Sequence, residues 1–219
     1  MFEKSVDNVF AYSENIFTYR TDNMTKEKAL ALLDEAYEKN PGLWKEHSIT
    51  AGNIAYTIAS HIKGVDAEKC EMYALLHDIG RIRGKHKIRH TLDGYRYLCE
   101  LGEEECARYC ITHVFPGNRI IEHTSFDISG ADLDFLQSFV MQHPNTIEDK
   151  IVQLSDVMAS PYGPMVVEVR LIESGIRNES NIHVFESWQE YLKVKDEINR
   201  ILGKSVYKLF KNIICEWTR

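Results

Sequence analysis

Tyr73-Ala74-Leu75-Leu76-His77-Asp78-Ile79-Gly80-Arg81 is the stretch on which the fold turns. Leu75, Leu76 and Ile79 recur at helical spacing, and Gly80 offers a stop for that helix. Two metal-ligand residue types, His77 and Asp78, stand side by side at the end of this apolar turn. Adjacent side chains on a helix diverge by about 100°, so both reach one point only near a helix end, where the backbone is free to adjust. A His-Asp pair alone says little, because many turns contain one. Its company says more: His47 follows Gly42-Leu43-Trp44 upstream, and His90, His113 and Asp156 come downstream.

This order, a histidine, then His-Asp, then a distant aspartate, resembles the motif of the HD superfamily of metal-dependent phosphohydrolases. The matching positions are His47 in Trp44-Lys45-Glu46-His47-Ser48, the pair His77-Asp78, and Asp156 in Lys150-Ile151-Val152-Gln153-Leu154-Ser155-Asp156. His90 in His90-Thr91-Leu92-Asp93-Gly94-Tyr95 and His113 in Ala107-Arg108-Tyr109-Cys110-Ile111-Thr112-His113 resemble the two-metal branch. Within it the chain is similar to the bacterial HD-type diadenosine tetraphosphate hydrolases, over roughly residues 43 to 160. The resemblance implies an all-α, HD-domain helical bundle whose metal ligands are His47, His77, Asp78, His90, His113 and Asp156. Asp78 would then bridge two ions about 3.5–4 Å apart, with the attacking water between them. Four protein ligands on one ion would close a tetrahedral site, so a five- or six-coordinate ion is expected. Mixed imidazole and carboxylate donors put iron or manganese first, with magnesium, cobalt, nickel and zinc as alternatives.

Bulk properties narrow the partners. The net charge of −7 disfavours a protein that grips many nucleic-acid phosphates. Against that background Arg81-Ile82-Arg83-Gly84-Lys85-His86-Lys87-Ile88-Arg89-His90 is a local concentration of positive charge beside the motif. It reads either as a solvated loop or as a phosphate grip, and Arg81 and Lys85 are the residues expected to act with Asp78 in catalysis. No segment approaches the ~20 apolar residues of a membrane span, and the N-terminus lacks the layout of a signal peptide. A cytoplasmic protein that does not enter the membrane is expected. Five scattered cysteines suit reduced thiols rather than a disulfide framework. Cys106 and Cys110 share a helical face; buried small hydrophobes are preferred there over a metal pair.

Helical periodicity runs through the chain. An amphipathic helix is expected over Phe2–Tyr19, and a stronger one from Met24 to Tyr37 with Asp22 or Thr25 as its cap. Leu43 to Ile62 forms the helix of His47, and Asp66 caps the one that runs to His77. A helix of Leu92, Tyr95 and Leu98 stops near Gly102, and Glu103–Thr112 leads into His113. Residues 114–145 form an insertion relative to the compact diadenosine tetraphosphate hydrolases. It opens on an irregular stretch through Ser129 that suits a lid or specificity loop, followed by a helix begun by Ser129 or Asp132. Thr146 and Asp149 make a capping box for the helix of Asp156. Val166 to Ile172 is strand-like in composition, but Glu168, Arg170 and Glu173 keep a helical charge period. The expected organisation is an N-terminal helical extension (1–40), a catalytic core (41–160) and a C-terminal helical extension (161–219) that packs on the core or on a second copy as a homodimer.

The function expected from the resemblance is hydrolysis of a nucleotide or other small phosphoester by metal-activated water. Two other classes use the same residues. HD-fold di-iron oxygenases hold a similar ligand set and activate oxygen, and a non-catalytic nucleotide sensor would bind without turnover. His86, His123 and His143 compete with His90 and His113 as ligands; His61 and His183 fall outside the motif.

Overall fold

A computed structural model describes residues 24–122 and 126–216. The helix expected over Phe2–Tyr19 lies outside the described residues, as does His123. The described chain is all-α apart from one short hairpin. The helices are α1 (Lys26–Lys39), α2 (Trp44–Ala59), α3 (Ala67–Leu76), α4 (Arg89–Glu100), α5 (Glu104–Thr112), α6 (Ala131–Gln142), α7 (Ile147–Met158), α8 (Val167–Arg177) and α9 (Val184–Leu202). The strands β1 (Ala159–Ser160) and β2 (Gly163–Pro164) pair antiparallel about Pro161-Tyr162. No helix among the described residues is long and apolar enough to cross a membrane.

Local sequence caps three of the helix starts, those of α1, α3 and α7. The Thr25 hydroxyl accepts from the Lys28 N–H at 3.2 Å, and the Asp66 carboxylate accepts from the Lys69 N–H at 3.1 Å. At α7 the capping box is reciprocal: Asp149 N–H donates to Thr146 at 3.3 Å and Thr146 N–H to Asp149 at 2.8 Å. Each such cap satisfies an otherwise orphaned N–H and contributes about 1 kcal/mol. The valine-rich segment after the hairpin is helical, as its charge period predicts.

Two expectations fail, both at glycines. Gly80 does not stop the helix before it. α3 ends at Leu76, and the chain tightens into a 3-10 helix over Ile79–Arg83 with Gly80 inside it. The reason for glycine is a crossing: a Cβ on Gly80 would lie 1.9 Å from the His90 carbonyl oxygen and 2.4 Å from the Gly94 nitrogen. Only a hydrogen fits where the 3-10 helix meets α4. At α6 neither Ser129 nor Asp132 caps; Gly130 precedes the helix at φ 57°, ψ −134°, backbone that glycine adopts without a Cβ penalty. Asp132 instead pairs with Arg96 at 2.5 Å.

Burial falls into two apolar clusters. The main core joins α1, α2, α3, α5, α7, α8 and α9 through residues such as Leu33, Ile54, Leu76, Leu154 and Ile198. A second, smaller one (Leu92, Ile111, Phe115, Leu136 and Phe139 among its members) lays α6 on α4 and α5.

Candidate metal centre

Each of the six expected ligands sits at or near a helix end. His47 is in the first turn of α2 and His90 in the first turn of α4; His77 and His113 cap α3 and α5. Asp78 follows His77, and Asp156 lies in the last turn of α7. Burying these ends against one another brings the side chains together. His47 Nε2 is 2.9 Å from Asp156 Oδ1 and 3.3 Å from His77 Nε2. His77 Nε2 is 3.5 Å from Asp156 Oδ1 and 4.0 Å from Asp78 Oδ2. His90 Nε2 is 3.0 Å from Asp78 Oδ1 and 3.4 Å from His113 Nε2. Two overlapping groups suited to a cation result, His47–His77–Asp156 and His77–Asp78–His113, and they share His77. Five of the six residues are buried, while the Asp156 side chain keeps 21% of its surface open, the most of the six.

The far side of each ring explains the aim of the near side. Nδ1 of His77 meets the Ala74 carbonyl at 2.6 Å, that of His113 the Tyr109 carbonyl at 3.0 Å, and that of His90 the Lys87 carbonyl. His47 Nδ1 meets the Ala159 carbonyl at 3.2 Å. A carbonyl accepts, so this network places a proton on Nδ1 and aims Nε2 inward, as a lone pair wherever the ring is neutral. Around Asp78 Oδ1 the centre then holds acceptors facing an acceptor. Asp78 Oδ1 is buried and takes no hydrogen bond, yet His90 Nε2 and His113 Nε2 lie 3.0 and 3.9 Å from it. A buried carboxylate oxygen without a donor is costly. A cation removes that cost, so the donor set fits a divalent metal.

Electrostatics within the metal-free cluster are uneven. Burial pushes the Asp78 carboxyl up, but Arg81 and then His90 outweigh it and hold it well below the usual range. Asp156 is likewise held low, against burial, by hydrogen bonds from His47 and His77. Burial pushes His77 down, yet its bond to Asp156 and the charge of Asp78 lift it to about 9. His113, buried and beside His77, drops to about 3 and stays neutral.

Arg81 Nε donates to Asp78 Oδ2 at 2.8 Å and Nη1 to the His86 carbonyl at 3.2 Å, so this arginine is tied to a candidate ligand. Lys85 stands exposed on the following loop, with neither hydrogen bond nor ion pair to the cluster. His86, His143, His61 and His183 belong to neither group; His143 stacks on Phe139 at 4.0 Å. Cys106 and Cys110 are buried, and burial raises both thiols, Cys106 to about 12. Such thiols behave as small hydrophobes.

Sequence reasoning missed three supports. Asp127, from the irregular stretch, accepts from the N–H groups of Lys87 at 2.7 Å and Arg89 at 2.8 Å. It thereby caps α4, which has no side-chain cap of its own, just ahead of His90. Asp149 is a member of the capping box, but it also takes Arg108 at 2.6 Å and the Thr112 hydroxyl at 2.6 Å, beside His113. Arg170 Nε donates to the Ala159 carbonyl at 2.9 Å, the same oxygen that His47 uses. No spacing rule points to these partners, because each contact spans a distance in sequence that only the fold sets.

The chain is 31% identical over 185 residues to MJ0778, an uncharacterized protein of Methanocaldococcus jannaschii, covering 82% of this chain and 99% of that protein. Among solved structures it is similar to the HD domain of the L. monocytogenes phosphodiesterase PgpH, crystallised in complex with cyclic-di-AMP. That likeness has a TM-score of 0.47 at 15% identity and covers 85% of this chain and all of that one. Residues 44–160, more than half of the chain, match the model of the HD domain, and the protein belongs to that family.

Proposed function

We propose that the protein is a metal-dependent phosphohydrolase acting on a nucleotide or a related small phosphoester. The observation that carries this reading is the set of inward lone pairs around the donorless Asp78 Oδ1. His47, His77, Asp78 and Asp156 would hold one divalent ion and Asp78, His90 and His113 a second, with iron or manganese the first choice. Ions bound there supply Lewis acidity at a phosphoryl oxygen and lower the pKa of a water to about 7.

The protein's own groups do the rest. The four Nδ1–H bonds to carbonyls keep the imidazoles in one tautomer and one orientation. Arg81 fixes Asp78 through Nε and adds positive charge beside the centre. With two divalent ions bound, the carboxylates of Asp78 and Asp156 would leave a net positive charge, which would suit a polyanionic substrate and the charge that builds up at phosphorus. Lys85, exposed on the loop after Arg81, would serve as a second cation for the phosphate. The partly open Asp156 side chain gives the direction of approach.

Protein purified without chelator should contain two ions per chain. With manganese or ferrous iron it should release phosphate from at least one member of a panel of nucleotides and dinucleoside polyphosphates. No release from any of them would overturn the hydrolase reading, and iron-specific oxygen consumption would put an oxygenase in its place. Retention of two ions by His90→Ala would remove His90 from the ligand set.

A further inference from the structure

The Ala159 carbonyl has an unusual task. It is fully buried where α7 passes into the hairpin, and it accepts twice: from His47 Nδ1 at 3.2 Å and from Arg170 Nε at 2.9 Å. The other three histidines of the centre use carbonyls three or four residues back on their own turns. His47 alone relies on a carbonyl 112 residues away. The Arg170 guanidinium is held in turn, since Nη1 bonds to the Glu173 carboxylate, which also takes Arg177 Nε at 2.8 Å. The Arg170 side chain is 14% exposed, so its donor is aimed by packing as well as by charge. It lies on α8, beyond the residues that match the family model.

We propose that Arg170 is a positioning residue for the metal centre, aiming His47 by clamping the Ala159 carbonyl. The terminal torsion of a histidine is broad and roughly two-fold, so one hydrogen bond to a loosely held peptide would leave its ring free to turn. A charged donor makes a shorter and stronger bond than a neutral one. By holding the acceptor, Arg170 fixes the direction in which Nε2 points, toward Asp156 and His77. In this way the C-terminal helices supply a part of the centre that the matched region lacks.

The inference rests on reading the six side chains as metal ligands, and the test separates the two. Arg170→Met and Arg170→Lys are compared with the unaltered protein in manganese titrations, and the histidine ring nitrogens of each metal-free protein are followed by NMR. Changing an outer partner of a ligand typically costs 10–100-fold in metal affinity. Arg170→Met should therefore weaken one ion by about tenfold, leave the other within about twofold, and shift the His47 Nδ1–H signal. Arg170→Lys, which still presents a cationic donor, should recover part of the loss. An unmoved His47 signal in Arg170→Met would overturn the proposal. So would equal weakening of both ions that simply follows a fall in Tm, since Arg170 would then only hold α8 in place. If the unaltered protein took up no metal, the reading of the centre would fall, while the His47 signal would still decide the role of Arg170.

Discussion

His77, His90 and His113 are each aimed by a carbonyl within four residues, whereas His47 and Asp156 meet only when chain segments 109 residues apart are packed together. The side of the centre around Asp78 is thus largely built from neighbouring turns: α3, the 3-10 helix, and the ends of α4 and α5. The side around Asp156 depends on α2, α7, the hairpin and α8. The contrast teaches that two groups of similar chemistry need not share the same resilience. Local hydrogen bonds survive loosening of the bundle, and long-range ones do not.

The largest effect should come from the one side chain that both proposed ion sites share. Asp78→Ala should weaken binding of each ion by more than about 100-fold, exceeding what loss of an outer partner costs, and should abolish phosphate release. Metal analysis showing one ion fully retained would restrict Asp78 to one side of the centre. Next is the crossing beneath Asp78. Gly80→Ala would drive a methyl into the His90 backbone, and overpacking against main chain at this spacing should cost about 3 kcal/mol, read as a lower Tm in the metal-free protein.

Proton competition gives a graded effect. His77 in the metal-free fold is raised from 6.5 to about 9. Its protonation therefore stabilises the metal-free fold fully below pH 6.5, and that contribution fades as pH rises toward 9. A ligating imidazole must be neutral, so apparent manganese affinity should climb about tenfold per pH unit until roughly pH 9. Affinity that stays flat from pH 7 to 9 would take the exchanged proton away from His77. The smallest change expected is at Asp127→Ala. Losing the distant cap of α4 should cost about 1 kcal/mol and loosen only the ion next to His90. Equal loss at both ions would erase the distinction between the two sides.

Much of this was legible in the sequence because helices announce themselves locally. The period of Ala29, Leu33 and Ala36, the caps at Thr25 and Asp66, and the box at Thr146–Asp149 each lie within a few residues. The order of His47, His77, Asp78 and Asp156 led to the family through its resemblance to a known motif. What stayed hidden was tertiary. Gly80 looks like any helix stop until α4 is laid across it, and Ser129 and Asp132 look like ordinary caps until the backbone turns at Gly130. Arg170 looks like one charge in a helical repeat, and Asp127 like a loop residue. Their partners are a carbonyl and two N–H groups, which leave no signature in a string of side chains.

The second apolar cluster, beneath α6, has a consequence for how such a protein could diversify. Leu136, Phe139 and Val140 rest on the outer wall of the two helices that carry His90 and His113, and they do so apart from the main core. That wall can be re-tailored in shape, length or polarity while the principal interior stays sealed. Lineages sharing the same histidine and aspartate cluster would thus have a place to experiment with what the site admits, without wagering the integrity of the whole molecule.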